Sequence, residues 1–411
     1  MSTLAAAADF MNGDLHGTDH PFSGVSTDTR TLQEGELFVA LQGPNFDGCD
    51  YVGKARDKGA AGAVVPTLVD EDIPQISVED SRRALGQLGA AWRQQLSPVV
   101  IGVTGSNGKT TLKELTAACL AKGAPTLATH GNLNNDIGMP LMLTRIEEKH
   151  RFAVIEMGAN HIGEIAYLTA LATPDIVVIT NAGAAHLEGF GSLDGVARGK
   201  GEILCGETRP KVAILNADDR YFDYWSKLVA DTQLITFGID ADADVTARNI
   251  DADAAGSSFD LRLPVGEIDI TLPLAGRHNV RNACAAAAIA VAVGIDIADI
   301  KSALESVKPV EGRLRRLAGP GGATIYDDSY NANPLSVVAA AEFLASLPGD
   351  HLLVLGDMGE LGDDAARLHA ETGAQVREAG ISRLLATGPL SRNTVEGFGD
   401  CLLYTSDAAD D

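Results

Sequence analysis

Residues 102–111 read GVTGSNGKTT, and their surroundings decide how the chain folds. The apolar, β-branched residues 99–101 come before them. Residues 112–123, LKELTAACLAKG, come after and are apolar at helical spacing. A buried strand therefore runs into a glycine-rich turn and then into a helix. Gly105, Ser106, Asn107 and Gly108 can expose a row of backbone N–H groups, and the helix adds the positive end of its dipole. Lys109 brings a cation to the same point, and the Thr110 hydroxyl can reach a phosphate-bound Mg²⁺. Thr111 completes the phosphate-binding set. Val103 stands where the general G-x-x-x-x-G-K-[ST] pattern has its first glycine. A plain glycine turn is the modest reading; the strand before it and the helix after it favour phosphate binding.

Outward from this turn, strands and helices alternate. VVIGV, FAVIEMG, DIVVITN and KVAILNADD are separated by helical stretches, which implies a parallel sheet with helices on both faces. Residues 240–275 change to short alternating segments such as SSFDLRLPV and IDITLPL, an antiparallel addition. GRHNVRNACAAAAIAVAVGI, residues 276–295, reads as a strong helix, and KPVEGRLRRL, residues 308–317, as a linker. ATIYDDSYNANP, HLLVLGDMGELG and ISRLLATG then describe a second βαβ pattern. Before the turn, GELFVALQG and GAAGAVV are short strands with the helical YVGKARDKG between them.

The expected architecture is α/β in three domains. A small α/β N-terminal domain spans residues 1–97, and a central parallel-sheet P-loop domain spans 98–310. A Rossmann-like C-terminal domain spans 311–400. The tail CLLYTSDAADD, residues 401–411, breaks the rhythm and resembles translated adaptor sequence, so a non-native tail and a truncated third domain are expected.

Composition narrows the function. With 45% apolar and 21% charged residues over 411 positions, the chain is globular. A net charge of −24 disfavours a nucleic-acid partner. Any polyanion must be held locally, by helix N-termini, individual cations or metal ions. Five cysteines, an odd number without a C-x-x-C, give no disulfide framework, and Cys119 and Cys284 read as small core residues. The first ten residues make a poor signal peptide, and the longest apolar run is too short for a bilayer. A cytoplasmic protein without membrane insertion is expected.

Other candidate residues fall at strand ends. Glu156 ends FAVIE, where a carboxylate can take a metal that bridges nucleotide phosphates; a helix-capping acid is the alternative. Asn181 ends DIVVITN, and His186 follows near the same sheet edge. Lys200, on the helical VARGKGEIL, reads by itself as a solvated surface lysine. Asn282 carries an amide suited to a base edge, with capping or core bonding equally open. Arg313 suits a phosphate fork. Asp327 and Asp328 end a strand, and either could bond ribose hydroxyls.

Together, TGSNGKTT, GNLNNDIGMP, EMGANHIGEI, YDDSYNANP and VLGDMGELG, with STDTRTLQEGELFVALQGPNFDG near the N-terminus, resemble the Mur ligase family over residues 24–397. These are the ATP-dependent amide ligases of peptidoglycan synthesis. The motif set is most similar to the member that adds D-alanyl-D-alanine to UDP-N-acetylmuramoyl-tripeptide. The resemblance implies those two substrates, ATP, two Mg²⁺ sites and a monomer. It implies Lys109 and Thr110 on the ATP phosphates, Thr110 and Glu156 at the first Mg²⁺, and His186 with Lys200, as a carbamate, at the second. Lys109, Glu156, His186 and Lys200 then form the catalytic set. Asn282 would meet adenine, Arg313 the γ-phosphate and Asp328 the ribose. Asn134, Asn135, Asn331 and Asn333 would line the substrate side, and Ser26, Asp28, Arg30, Asn45 and Asp47 would hold the UDP-sugar. Two rivals stay open: a folylpolyglutamate- or cyanophycin-type ligase on the same framework, and a P-loop NTPase that joins nothing.

Overall fold

The computed structural model describes residues 2–229 and 231–399. The tail assigned to residues 401–411 lies outside the described residues. Among the described residues, three units follow one another along the chain.

The first unit is built on a five-stranded sheet in the spatial order Asp14–His16, Gln75–Ser77, Gly62–Val65, Glu36–Val39 and Gly24–Ser26, beside a short antiparallel pair, Gln42–Gly43 with Phe46–Asp47. Within the sheet, all neighbours are parallel except the first pair. Leu37 and Val39 point to one face, with the helices Leu4–Met11 and Ser81–Gln95; Phe38 points to the other, with the helix Val52–Asp57. Burial of both faces explains why residues 37–39 and 63–65, in the inner strands, are apolar in a row rather than alternating. Asp80 caps the helix Ser81–Gln95 by accepting from Arg82 N at 2.7 Å and Arg83 N at 3.1 Å, worth about 1 kcal/mol. The far end of this helix forms a seam with the central unit. There the Trp92 indole donates to Ile146 O at 2.9 Å and Arg93 Nε donates to Ala172 O at 3.2 Å.

The central unit is a nine-stranded sheet. From one edge it runs Thr126–Ala128, Phe152–Glu156, Val99–Thr104, Ile176–Ile179, Val212–Asn216, Gln233–Gly238 and Val245–Ala252, all parallel, then Ser257–Leu263 and Gly266–Leu272, both antiparallel. The antiparallel addition thus extends the same sheet. Helices Lys109–Gly123 and Arg277–Ala292 cover one face, where the alanines 285–288 let the second helix lie close. Helices Glu164–Ala172, Leu193–Gly201 and Phe222–Leu228 cover the other, anchored by Trp225, whose indole donates to Ala197 O at 2.9 Å. The strands Val99–Thr104, Phe152–Glu156, Ile176–Ile179 and Val212–Asn216 finish at the same edge, where ligands bind in open α/β sheets.

The third unit contains an antiparallel pair, Arg315–Ala318 with Thr324–Asp327, and a parallel pair, Leu352–Leu355 with Arg383–Ala386. Helix Ala365–Glu378 joins the parallel strands as a βαβ unit. The stretch read as a linker over residues 308–317 therefore carries a strand at its end. Its four residues are all exposed, so no buried alternation marked them in the sequence.

Candidate active site

The glycine-rich turn is held by close approach. Gly105 has φ +142°, and a Cβ there would fall 1.9 Å from Thr180 Oγ1; Gly108 has φ +82°, and a Cβ would fall 2.7 Å from Asn282 Oδ1. The turn is stitched to the next strand end. Ser106 N donates to Asn181 O and Asn107 N to Asn181 Oδ1, both at 3.0 Å. Thr180 Oγ1 and Asn181 Nδ2 donate to Asn107 O at 2.6 and 3.1 Å. Two of the four N–H groups expected to face a ligand are thus consumed within the protein. The helix Lys109–Gly123 starts directly after them, and its first N–H groups have no intrahelical partner, so the anion-binding end sits one step further along. Lys109 Nζ arches back over the turn to Gly105 O at 2.7 Å and Ser106 O at 3.1 Å. Burial lowers its pKa, against the attraction of Glu156.

Glu156 lies just behind. It is 2% exposed. Its Oε1 accepts from Asn134 Nδ2 at 2.8 Å and Thr110 Oγ1 at 3.4 Å, while Oε2 has no partner. Helix capping does not explain it: the acid that satisfies the next turn is Glu164, which accepts from Asn160 N at 2.7 Å and His161 N at 3.2 Å. Two buried groups hold the Glu156 strand end. Thr129 Oγ1 accepts from Glu156 N at 2.9 Å, and Lys113 Nζ donates to Thr129 O at 2.7 Å.

Two clefts flank the turn. One, of about 340 Å³, is lined by Asn107, Gly108, Thr110, Thr111, Asn216, Phe237, His278, Asn282, Arg313, Asp328 and Asn331. The other, of about 410 Å³, is lined by Ser106, Lys109, Asn134, Asn135, Glu156, His186, Arg313, Tyr330 and Asn331, with Arg82 and Asp136 at its far side. The turn is the wall between them, and Asn107, Gly108, Thr110, Arg313 and Asn331 belong to both. Arg313 lies over the Tyr330 ring at 4.1 Å. Burial pushes the Asp328 carboxyl up to about 6.

The third unit reaches this wall by side chains. Asn107 Nδ2 donates to Asn333 Oδ1 at 3.2 Å, and Asn333 Nδ2 donates to Asn107 Oδ1 at 2.6 Å. The same Asn333 caps helix Pro334–Ser346 through Ser336 N at 3.0 Å. Asn333 is thus engaged with the turn itself. Glu360, in the quoted VLGDMGELG motif but without a role in the sequence reading, contacts His186 Nδ1.

Lys200 is 1% exposed, which corrects its reading as a surface lysine. The sequence hid this because a lysine between two glycines, Gly199 and Gly201, gives no sign of which face of its helix it occupies. Its Nζ donates to Ala159 O at 3.2 Å and lies 5.0 Å from the Phe190 ring centre. Burial, helped by the Lys109 charge, pulls its pKa down to about 7. Burial also lowers the His186 pKa, against Glu360.

The N-terminal candidates lie elsewhere, and none lines either cleft. Asp28 and Arg30 form an exposed ion pair at 2.7 Å. Ser26 Oγ donates to Asp28 O at 3.2 Å, and Asp47 accepts from Cys49 N at 2.9 Å and Gln42 Nε2 at 3.0 Å. Asn45 is exposed in the turn between them.

Family models match the whole arrangement in order: the Mur ligase family, catalytic domain over residues 21–93, the Mur ligase middle domain over 103–290 and the Mur ligase, glutamate ligase domain over 312–404. The UDP-N-acetylmuramoyl-tripeptide–D-alanyl-D-alanine ligase of Escherichia coli K12 is 44% identical over 97% of this chain and 89% of its own length. The chain belongs to the Mur ligase family. The Bacillus subtilis 168 ligase of the same name is 36% identical over 96% of this chain and 87% of its own. A crystal structure of MurF from Acinetobacter baumannii superposes with a TM-score of 0.92, at 37% identity, over 98% of this chain and 89% of that one. MurF from Thermotoga maritima in complex with ADP gives 0.82 at 28% identity, over 93% and 88%.

The residues of this Mur ligase fit a divalent cation. A buried carboxylate oxygen without a partner, Glu156 Oε2, is costly unless a cation meets it. At His186, a carboxylate on Nδ1 leaves Nε2 as the nitrogen free to ligate, the usual arrangement around metal-bound imidazole. Three residues that support or line the clefts of this Mur ligase have no role in the sequence reading. Lys113 looked like any helix lysine, and Arg82 and Asp136 come together only through the seam between units.

Proposed function

We propose that the chain is an ATP-dependent amide ligase. It adds D-alanyl-D-alanine to UDP-N-acetylmuramoyl-tripeptide through an acyl phosphate, in peptidoglycan precursor synthesis. The observation that carries this reading is the shared wall: one turn, with Lys109 and Thr110, fronts two clefts at once. A phosphoryl donor in one cleft then faces an acceptor in the other.

A carboxylate is a poor electrophile, and an amine will not displace its oxygen in water. Attack of the tripeptide's terminal carboxylate on the γ-phosphorus of ATP breaks the bond to the ADP oxygen and gives an acyl phosphate. The α-amine of D-Ala-D-Ala then attacks the acyl carbon, the phosphate leaves with the bonding pair, and the amine gives up a proton. Carboxylate and triphosphate repel each other, by about 4 kcal/mol per pair of charges 4 Å apart at an effective dielectric constant of 20. Lys109 and Arg313, which both line the acceptor cleft, offset that repulsion and steady the transferring group. Tyr330 keeps the Arg313 plane oriented.

Thr110 and Glu156 would hold one Mg²⁺; His186 and Lys200 would hold a second, Lys200 as its carbamate. Bound there, the ions supply positive charge against the phosphate oxygens. Lys200 suits carbamylation because its nitrogen is neutral in a useful fraction near pH 7, and a neutral amine can attack CO₂. Asn282 is assigned to adenine, Asp328 to ribose, and Asn134, Asn135 and Asn331 to the acceptor side. Ser26, Asp28, Arg30, Asn45 and Asp47 are assigned to the UDP-sugar. The enzyme is assigned to the cytoplasm as a monomer; no described helix is long and apolar enough to cross a membrane.

Phosphate release, coupled to mass analysis of the product, tests the reading. Release is expected only with ATP, UDP-N-acetylmuramoyl-tripeptide and D-Ala-D-Ala together, with a product heavier by one dipeptide residue. Hydrolysis of ATP without muropeptide would favour the switch-type NTPase instead.

A further inference from the structure

The acceptor cleft has a far wall that the reaction does not use. Arg82, at the start of helix Ser81–Gln95 in the first unit, forms an ion pair there with Asp136 of the central unit. The pair is open to the cleft, its side chains being 56% and 30% exposed. As a staple between units it adds little, since exposed ion pairs contribute about 0–1 kcal/mol. The seam is already fastened by Trp92 to Ile146 and by Arg93 to Ala172 and Thr173.

Its distance from the chemistry is set by the chain. Asn134 touches Glu156 at 2.8 Å, and Asp136 is two residues further on, a separation of at most about 7 Å between Cα atoms. A substrate residue whose carboxylate is activated beside Lys109 and Glu156 can therefore extend a side chain of four or five bonds to the pair.

The chemistry of the pair selects the end of that side chain. A carboxylate beside a guanidinium complements a group that carries an ammonium and a carboxylate on one carbon. Asp136 takes the ammonium, and the Arg82 fork takes the carboxylate. An ammonium alone would satisfy Asp136 but leave Arg82 stripped of its partner.

We propose that Arg82 and Asp136 are specificity-determining residues that read the third residue of the peptide. They favour a side chain ending in an amino-acid head, as in 2,6-diaminopimelate, over one ending in an ammonium, as in lysine. This rests on the ligase reading above and narrows its substrate.

The test compares kcat/KM for two UDP-N-acetylmuramoyl-tripeptides that differ only in having diaminopimelate or lysine third, and measures binding of each without ATP by calorimetry. The wild-type enzyme is expected to favour diaminopimelate at least tenfold. Arg82→Met keeps the apolar stem, and should bring the ratio close to one, chiefly through KM. Arg82→Lys should restore part of it, and Asp136→Asn should weaken both substrates. Thermal melting of each variant separates misfolding from lost recognition. A wild-type ratio near one, or equal loss on both substrates in Arg82→Met, overturns the proposal. Binding of both tripeptides without ligation of either would overturn the ligase reading instead, and the binding ratio would still decide the role of Arg82.

Discussion

Lys109 and Arg313 face the same cleft, yet they are held in different ways. Lys109 starts a helix that is joined to a buried strand by one four-residue turn, and its ammonium is tied to two carbonyls of that turn. The sheet beneath carries an extensive core on each face. Arg313 sits in the irregular stretch before an exposed strand, with its guanidinium on a tyrosine that is 54% exposed. The core of its unit is small, built around Ala341, Met358, Val376 and Leu384. Two side-chain contacts to the site, Asn107 with Asn333 and His186 with Glu360, help seat that unit. One half of the site is preformed by packing; the other is delivered by docking. Substitutions in the first half should therefore remove chemistry, and substitutions in the second should shift binding and closure.

Lys109→Ala gives the largest expected effect, a fall of about 10³-fold or more in kcat, comparable to loss of a strong transition-state donor. Its melting temperature should stay within a few degrees of wild type. A variant that keeps more than a tenth of the turnover would contradict the preformed half. Lys200→Ala should cost about 10²-fold in single-turnover phosphoryl transfer. Added bicarbonate should not restore it, because alanine has no nitrogen to carbamylate. An unimpaired Lys200→Ala enzyme would remove the carbamate role.

The docked half responds more gently. Asn333→Ala removes both the pair with Asn107 and the cap of helix Pro334–Ser346, the cap alone being worth about 1 kcal/mol. Asn333→Asp keeps the cap oxygen, loses the Nδ2 donor and brings a negative charge to the turn. Hydrogen exchange should show the helix loosened in the first variant and unchanged in the second, while KM for ATP rises several-fold in both. Equal KM for wild type and Asn333→Asp would mean that the amide pair does not couple the units. The smallest effect concerns pH. Asp328 is raised to about 6 by burial, so its carboxylate is neutralised as pH falls through about 6. As an acceptor of ribose hydroxyls it should lose strength there, and ATP affinity should drop a few-fold between pH 7 and pH 5. Asp328→Asn should be flat over that range. A wild-type profile as flat as the variant's would free Asp328 from the ribose role.

Much of the site was legible because it is written locally. The turn at residues 105–108 and Lys109 lie within one short stretch, and Glu156 is marked by the apolar strand it terminates. Lys200 was not legible as a buried group, because one lysine on a helix gives no sign of which face it occupies; only packing against Phe190 and Ala159 reveals it. Arg82 and Asp136, like His186 and Glu360, lie far apart in the chain, and no local pattern announces such pairings.

By itself the sequence determined the alternation of strand and helix, the glycine turn and the carboxylate at a strand end, since periodicity, β-branching and glycine's freedom at positive φ act over a few residues. Tertiary structure alone decided that two of the turn's N–H groups are spent on Asn181, that Lys200 lies buried, and that three units contribute side chains to one cleft. Those outcomes depend on which surfaces meet across long separations in the chain. Burial and desolvation are properties of that meeting, not of any stretch of residues.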